Sequence, residues 1–221
     1  MATTRTRQAK VRGAAPSGSA KARKPAGKPS VRVLTRAQVP AAVKRMAAPS
    51  GADRFAAGKA VMLTAERDPA RVYPHFDGVA ALLAGEGKIV RWNAMQILAA
   101  MAAVDEEHKL DGVLDAYLTF TCGPNLVTAA NAIQGAGRIA AARPDLKDRI
   151  VSDLLGVENA TYGTAECRNV AIGQVLTVLA ALGPDVCCRP DVSDFVRRQQ
   201  SNPRPAVAKQ AKRMVANLDG A

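Results

Sequence analysis

The sequence predicts an all-α fold, a right-handed solenoid of about five helical hairpins that follows a disordered basic tail. Three observations support this prediction: a short phrase that recurs at a fixed period, helix-start signals between its copies, and a composition suited to thin helices. Apolar residues make up 48% of the 221 residues, but aromatic residues only 4%. This composition favours helices that pack closely through small aliphatic side chains. The tail is expected at residues 1–34 and the solenoid at residues 35–221.

The recurring phrase, Asn-Ala-x-Gln, has a period of 38 residues. It occurs at residues 93–96, returns at residues 131–134, and has a weaker copy beginning at Asn169. A period of roughly 35–45 residues in a helical pattern is typical of helical-hairpin solenoids. The same period gives a column of small residues, expected where paired helices approach most closely: Ala56, Ala94, Ala132, Val170 and Ala208.

Each repeat is predicted to contain two antiparallel helices. Apolar residues in residues 87–104 follow the spacing of a buried helical face, and Pro residues mark several expected helix starts. The acidic run at residues 105–107 is expected to complement a helix N-terminus. The first helices are expected at about residues 36–47, 69–84, 106–120, 145–155 and 188–199. The second helices are expected at about residues 52–67, 87–104, 124–142, 164–182 and 203–218, the last beginning at Pro203.

The second helix at residues 87–104 resembles HEAT repeats. Its Val90, Arg91, Ala94 and Leu98 match the phrase Val-Arg-x-x-Ala-x-x-x-Leu of that family. The resemblance extends over residues 36–218 and implies a binding scaffold rather than an enzyme. The matching Arg is Arg91 in one repeat and Arg168 in another, while the third and fifth repeats lack it in register.

Residues 1–34 have the composition of a disordered basic tail, because they are too poor in apolar residues to offset their ordering entropy. Residues 1–52 contain 12 Lys and Arg and no acid, whereas residues 53–221 contain 19 residues of each sign. The tail is typical of arms that bind polyanions; a solubilising linker and a targeting segment are alternatives. The candidate polyanion-binding residues are Arg5, Arg7, Lys10, Arg12, Lys21, Arg23, Lys24 and Lys28.

The sequence contains no catalytic or metal-binding motif. Nucleotide-binding loops, hydrolase Ser motifs and His-Glu-x-x-His patterns are missing, and His75 and His108 fall in different repeats. The spacing of the four cysteines fits no zinc site, so we expect reduced thiols, no metal and no cofactor. The Gly-Ala-Gly at residues 135–137 is expected to permit close helix packing. HEAT-like DNA glycosylases remain an enzymatic alternative, against which the few aromatic residues argue.

The sequence therefore predicts a non-enzymatic scaffold that binds a protein partner and carries a polyanion-binding tail. The alternative is a nucleic-acid-binding protein that uses both the tail and the concave face. Because no apolar run reaches the roughly 18–20 residues of a membrane span, we expect no membrane insertion. A cytoplasmic location is expected, with nucleoid association and organelle targeting as alternatives.

Second helices line the concave face of such solenoids, so the residues around the recurring Asn are the binding candidates. Two structural roles compete with binding: the Asn side chains could satisfy backbone groups in the turns, and Trp92 could pack. Arg138, Arg204 and Lys209 could add charge to one edge. The candidate binding residues are Arg91, Trp92, Asn93, Asn131, Arg168 and Asn169.

Overall fold

The computed structural model describes residues 32–219, and within that range the chain is helical with no β-strand. Seven 3₁₀ turns join or extend the α-helices in this range. The α-helices are α1 (Val39–Met46), α2 (Asp53–Arg67), α3 (Pro69–Val72), α4 (Phe76–Ala80), α5 (Lys88–Met101), α6 (Leu114–Leu118), α7 (Leu126–Ala142), α8 (Pro144–Leu155), α9 (Ala165–Leu182), α10 (Pro184–Cys187), α11 (Pro190–Arg198) and α12 (Pro205–Asp219).

The helices form five hairpins, as the repeat predicts. The second helices are α2, α5, α7, α9 and α12, which are 14 to 18 residues long. The first helices are continuous in α1 and α8, but are broken into short helices and 3₁₀ turns in the other three hairpins. In the second hairpin the break falls at Pro74, whose ring cannot donate a helical hydrogen bond. The last helix begins at Pro205 rather than at Pro203.

The predicted column of small residues is correct for the two middle members, Ala94 and Ala132. In the other three repeats it is displaced by one residue. Ala56 is exposed, and Val170 and Ala208 are half-buried. The residues that occupy the buried position have spacings of 37, 38, 39 and 36 residues, and they are Ala57, Ala94, Ala132, Ala171 and Val207. Because the turns differ in length while the helices keep their packing, a fixed period of 38 loses register.

The second helices form the inner layer of the solenoid. Each lies along the next, from α2 through α5, α7 and α9 to α12. First-layer elements of neighbouring hairpins touch far less. Ion pairs between residues of different hairpins bridge them instead. Examples are Arg149 with Asp115 at 2.9 Å and Arg198 with Glu158 at 2.9 Å. A stack curves toward its more closely packed layer, so the second helices line the concave side.

A buried ionic cluster joins the middle hairpins. The fully buried Asp105 carboxylate accepts hydrogen bonds from Tyr73 Oη at 2.8 Å and from two backbone N–H groups of the following turn. It also pairs with Arg143 Nη1 at 2.6 Å, and Arg143 in turn pairs with Asp111 and Asp145. Burial, with the hydrogen bond to Asp105, raises the pKa of Tyr73 to about 12. Asp105 thus accepts from the first N–H groups of the 3₁₀ turn at Lys109–Gly112, in line with the expected acid at a helix start. It also makes an inter-hairpin contact that the sequence did not reveal.

The solenoid holds the chain from residue 34 onward. The Leu34 N–H donates to Thr64 Oγ1 at 2.9 Å, and its carbonyl accepts from Arg71 Nη1 at 2.7 Å. Leu34 therefore packs with the folded part rather than with the tail to which the sequence analysis assigned it. The other residues of the expected tail up to residue 31, including its eight candidate bases, lie outside the described residues.

Helix α9 satisfies the length and hydropathy criteria of a membrane span, with a mean hydropathy of 1.2 over its 18 residues. No other helix in residues 32–219 does so. In the structure α9 packs between α7 and α12, and its core-facing Ala171, Val175 and Leu179 are fully buried. These contacts are those of a central helix in a solenoid.

A polar stripe on the second helices

The second helices present one aligned row of positions on the concave side, most of them exposed or half-buried. On α5 this surface includes Asn93 and Gln96, which lie one residue before and two residues after the buried Ala94. Such positions fall on one helical face because they follow the i, i+3, i+4 spacing. The second-helix stripe is defined as the residues at these aligned positions: Ala56, Lys59 and Leu63 on α2; Ile89, Asn93, Gln96 and Ala100 on α5; Val127, Asn131, Gln134 and Arg138 on α7; Glu166, Val170, Gly173 and Thr177 on α9; Ala206, Lys209 and Arg213 on α12.

Two exposed apolar side chains lie at the same position on neighbouring helices of the stripe. Ile89 is 45% exposed and Val127 is 50% exposed. Among the described residues, Val33 is the only other large hydrophobic residue with comparable exposure. The pair gives the middle of the stripe a local apolar surface.

Side-chain amides connect the helices along the stripe. Gln96 Nε2 donates to the carbonyl and the side-chain oxygen of Asn131, at 3.2 and 3.3 Å. Gln134 Nε2 donates to Gln174 Oε1 at 3.2 Å, and Gln210 Nε2 donates to Thr177 Oγ1 at 3.0 Å. This network holds polar groups in fixed positions on a face that solvent reaches. The recurring Gln of the sequence phrase was the available signal for this network, although Gln was not among the predicted binding residues.

Arg91, a predicted binding residue, serves the turn before its own helix. Its Nε donates to the Leu83 carbonyl at 2.8 Å, its Nη2 donates to the Gly85 carbonyl at 2.5 Å, and its guanidinium lies over the Phe120 ring. Arg54 occupies the equivalent position on α2 and also binds carbonyls of the preceding turn. These contacts indicate a structural role for Arg91.

Trp92 and Asn93 lie between helices. The half-buried Trp92 donates its Nε1–H to Thr128 Oγ1 at 2.9 Å. The Asn93 side chain packs against Gly58 of α2, where a Cβ atom would lie 2.3 Å from Nδ2. This Nδ2 is buried and has no hydrogen-bond partner in the described part of the chain. Trp92 therefore has the packing role that was the alternative to ligand binding. The Asn93 side-chain N–H groups, by contrast, do not satisfy backbone groups of a turn.

Asn169 does not lie in the row of Asn93 and Asn131. The spacing at this repeat is one residue longer, so the row contains Val170, and Asn169 Oδ1 accepts a hydrogen bond from Asn202 Nδ2 at 3.3 Å. Asn131 remains in the stripe, and its Nδ2 donates to the carbonyl of its own helix at Val127.

The position of the Arg in the HEAT phrase, three residues before the buried small residue, follows the same change of register. The half-buried Arg168 lines a shallow cavity of about 150 Å³ beside Tyr162 and forms no turn contact in the described residues. The fifth hairpin does have a base in register, contrary to expectation: Arg204, which pairs with Glu166. The third hairpin has Ala129 there, as expected.

Charge is divided unequally between the two layers. The second helices contain ten Lys or Arg and only four acids, which are Asp53, Glu66, Glu166 and Asp219. None of the ten bases forms an ion pair within residues 32–219, whereas most first-layer acids do. On the stripe itself the exposed bases are Lys59, Arg138, Lys209 and Arg213, and the one acid is Glu166. The balanced charge of residues 53–221 thus conceals a basic inner face.

Neither a metal site nor a disulfide is formed by the residues that the structure describes. No group of three or more His, Cys, Asp or Glu side chains in this range could hold a metal ion. Cys122, Cys167, Cys187 and Cys188 are free thiols, and burial raises the pKa of Cys187.

No protein-family model matches the chain, and no curated protein matches its sequence. Solved structures of designed repeat proteins do resemble its fold. One designed armadillo repeat protein has 20% identity, with 82% of each chain covered and a TM-score of 0.56. Another, in complex with the peptide (KR)4, has 15% identity, 82% of each chain covered and a TM-score of 0.60. Computationally designed armadillo repeat proteins for modular peptide recognition have 19% identity, 81% of each chain covered and a TM-score of 0.57.

The predicted fold class is therefore confirmed, and the comparisons refine the resemblance. Armadillo and HEAT repeats are related hairpin units of two or three helices, and the broken first helices of this chain give several of its repeats a third helix. By fold, the chain is an α-solenoid similar to the designed armadillo repeat proteins.

Proposed function

We propose that the protein is a non-enzymatic scaffold that binds an extended peptide segment of a partner protein along the second-helix stripe. The observation that carries this proposal is the amide network of Gln96, Asn131 and Gln134, which crosses from α5 to α9 on a solvent-facing surface. Side-chain amides offer both donors and acceptors, so they match the alternating N–H and C=O groups of an extended main chain.

The exposed Ile89 and Val127 support the same function, because they would cover apolar side chains of such a segment. One similar designed protein is described as in complex with a peptide and others as designed for modular peptide recognition, which supports a peptide as the class of ligand. The identity of their peptides is not transferred to this protein.

Peptide selection on the immobilised 221-residue chain tests the proposal. Selected peptides should bind at least about tenfold more weakly, about 1.4 kcal/mol, to a Val127→Ser, Gln134→Ala variant. Gln200→Ala is the matched control, because Gln200 is an amide of the first layer whose Nε2 bonds only the neighbouring Arg197 carbonyl. Equal binding by all three proteins would place the peptide elsewhere and refute the proposal.

We also propose that the basic tail binds polyanions non-specifically. The support is the sequence itself: residues 1–31 contain eight Lys or Arg and no acid. If six or more of these bases contact phosphates, affinity for nucleic acid should fall by about 10³-fold or more between about 50 and 200 mM salt. Removal of residues 1–31 should abolish this binding, whereas sequence-specific binding retained by the shortened chain would favour a nucleic-acid groove on the solenoid. The cut is placed at residue 31 so that the shortened chain keeps the core-packed α1.

A further inference from the structure

We infer that the peptide bound by the second-helix stripe is acidic. This inference rests on the proposed function and adds the chemistry of the partner. Four of the stripe residues are exposed bases, Lys59 on α2, Arg138 on α7, and Lys209 and Arg213 on α12. None of them has a carboxylate partner among the described residues.

Bases without a carboxylate partner on this face are a property of the fold rather than of composition. Arg138 donates instead to the side-chain oxygen of Gln96, at 3.2 Å. Acids and bases are equal in number in residues 53–221, but the first layer uses its acids to bind Arg residues of neighbouring hairpins. Arg189, for example, pairs with Asp148 at 2.8 Å and Arg198 pairs with Glu158. The one acid of the stripe, Glu166, is bound by Arg204. The inner face therefore has a positive potential that an acidic segment would complement.

The spacing of the bases fits a polypeptide better than a nucleic acid. Packed helices lie about 8–10 Å apart, and the bases of the stripe lie on every second inner helix, α2, α7 and α12. An extended peptide rises about 3.3 Å per residue, so one acidic residue in about six would meet each base. Nucleic-acid phosphates recur about every 3.4 Å along a strand of duplex, and most of them would meet no base.

The remaining stripe residues support the same choice. Single-stranded nucleic acids need exposed aromatic faces for base stacking, but the stripe contains no aromatic residue, and the neighbouring Trp92 is half-buried and hydrogen-bonded to Thr128. The exposed Ile89 and Val127 offer contact to apolar peptide side chains instead.

The test measures binding of labelled peptides to the full chain by fluorescence anisotropy at low ionic strength. The probes are alternating Glu-Ala, Gln-Ala and Lys-Ala peptides of about twelve residues, the length that spans five hairpins at about 3.3 Å per residue. An oligothymidylate of similar length is the nucleic-acid probe. We expect the Glu-Ala peptide to bind at least about tenfold more tightly than the Gln-Ala peptide, and the Lys-Ala peptide to bind least.

A charge-reversal pair separates the stripe from the rest of the protein. Arg138→Glu with Lys209→Glu should weaken binding of the Glu-Ala peptide by about tenfold or more. The control is Lys44→Glu with Lys147→Glu, which changes the net charge equally on first-layer helices α1 and α8, where neither Lys has a partner within the described range. The control should bind like the original protein, and far-UV circular dichroism should show that both variants are folded.

Each other outcome overturns the inference in a distinct way. The Gln-Ala and Glu-Ala peptides could bind with equal affinity and both lose binding in the Val127→Ser, Gln134→Ala variant. That result would support peptide binding by the stripe and refute the preference for an acidic peptide. Equal losses in the stripe and control variants would assign the binding to overall charge. Tighter binding of oligothymidylate, lost on stripe reversal, would make the face a nucleic-acid groove. Failure of every peptide to bind would refute the proposed function as well.

Discussion

Gly135→Ala tests the tightest packing around any glycine of the described residues. Gly135 lies in α7 opposite the fully buried Tyr117, and a Cβ atom there would lie 1.9 Å from Tyr117 Oη and 3.1 Å from Cζ. The Tyr117 hydroxyl donates to the Met95 carbonyl at 3.4 Å, so the ring is held between α5 and α7. It cannot withdraw without disturbing both helices.

The expected loss of stability is about 2 kcal/mol. Overpacking a core typically costs about 1–3 kcal/mol, and so severe a contact belongs at the upper end of that range. Replacing Gly by Ala in a helix recovers about 1 kcal/mol. For a chain of this size, a loss of about 2 kcal/mol lowers the melting temperature by about 4–8 °C, measurable by far-UV circular dichroism and urea unfolding.

Tyr117→Phe provides the decisive background. It removes the Oη atom and leaves Cζ, at 3.1 Å, as the nearest contact of the added Cβ atom. In the Tyr117→Phe background, Gly135→Ala should therefore cost less than about 1 kcal/mol of stability. A double-mutant cycle measures the difference between the two backgrounds as a coupling energy. Gly112→Ala is the matched control, because no atom lies within 4 Å of its Cβ position. An equal penalty in both backgrounds, or an unchanged melting temperature for Gly135→Ala, would refute the assigned packing.

Four further predictions concern the core, the ionic cluster and the tail. Ala94→Leu and Ala132→Leu should each lower the free energy of unfolding by about 1–3 kcal/mol, whereas Ala56→Leu, at an exposed position, should leave the melting temperature unchanged. Destabilisation by Ala56→Leu alone would show that the buried column follows the strict period of 38 residues after all. Arg143→Met should cost about 3–5 kcal/mol in urea unfolding because it leaves the buried Asp105 carboxylate unpaired, and a cost below about 1 kcal/mol would contradict this. Hydrogen bonding to Arg143 lowers the pKa of Asp145 to about 2, so its stabilising effect should be complete above about pH 4 and lost as pH falls through about 2; Asp145→Asn should flatten that part of the melting profile. Removal of residues 1–31 should leave the helical dichroism and melting temperature unchanged, and a fall of more than a few degrees would show that the tail packs on the solenoid.

The helices and their pairing were predictable because they depend on local patterns. Apolar spacing located α5, α7 and α9 within a few residues. The register between repeats was less predictable, since it depends on turn lengths that a fixed period averages. The fixed period placed Asn169 in the second-helix stripe, because it is one residue shorter than the actual spacing at this repeat. In the structure Val170 occupies that position.

The contacts that define the candidate surface could not be obtained in the same way. Whether an Arg such as Arg91 binds a turn carbonyl or a ligand depends on the path of the preceding turn. Likewise, equal numbers of acids and bases give no indication of which layer contains which sign. Those properties come from tertiary structure, so the charge of the inner face could not be predicted from composition.

The separation of charge follows from how a curved stack is held together. The inner helices pack directly through small residues such as Ala94, Ala132 and Gly135, and they need no ionic bridge. The outer elements lie farther apart, so long Arg side chains reach acids on the next hairpin, as Arg149 reaches Asp115. Exposed ion pairs of this kind contribute only about 0–1 kcal/mol each, so their main effect is to neutralise the outer face. Bases on the inner helices have no such partner, and the concave side remains available for an anionic ligand.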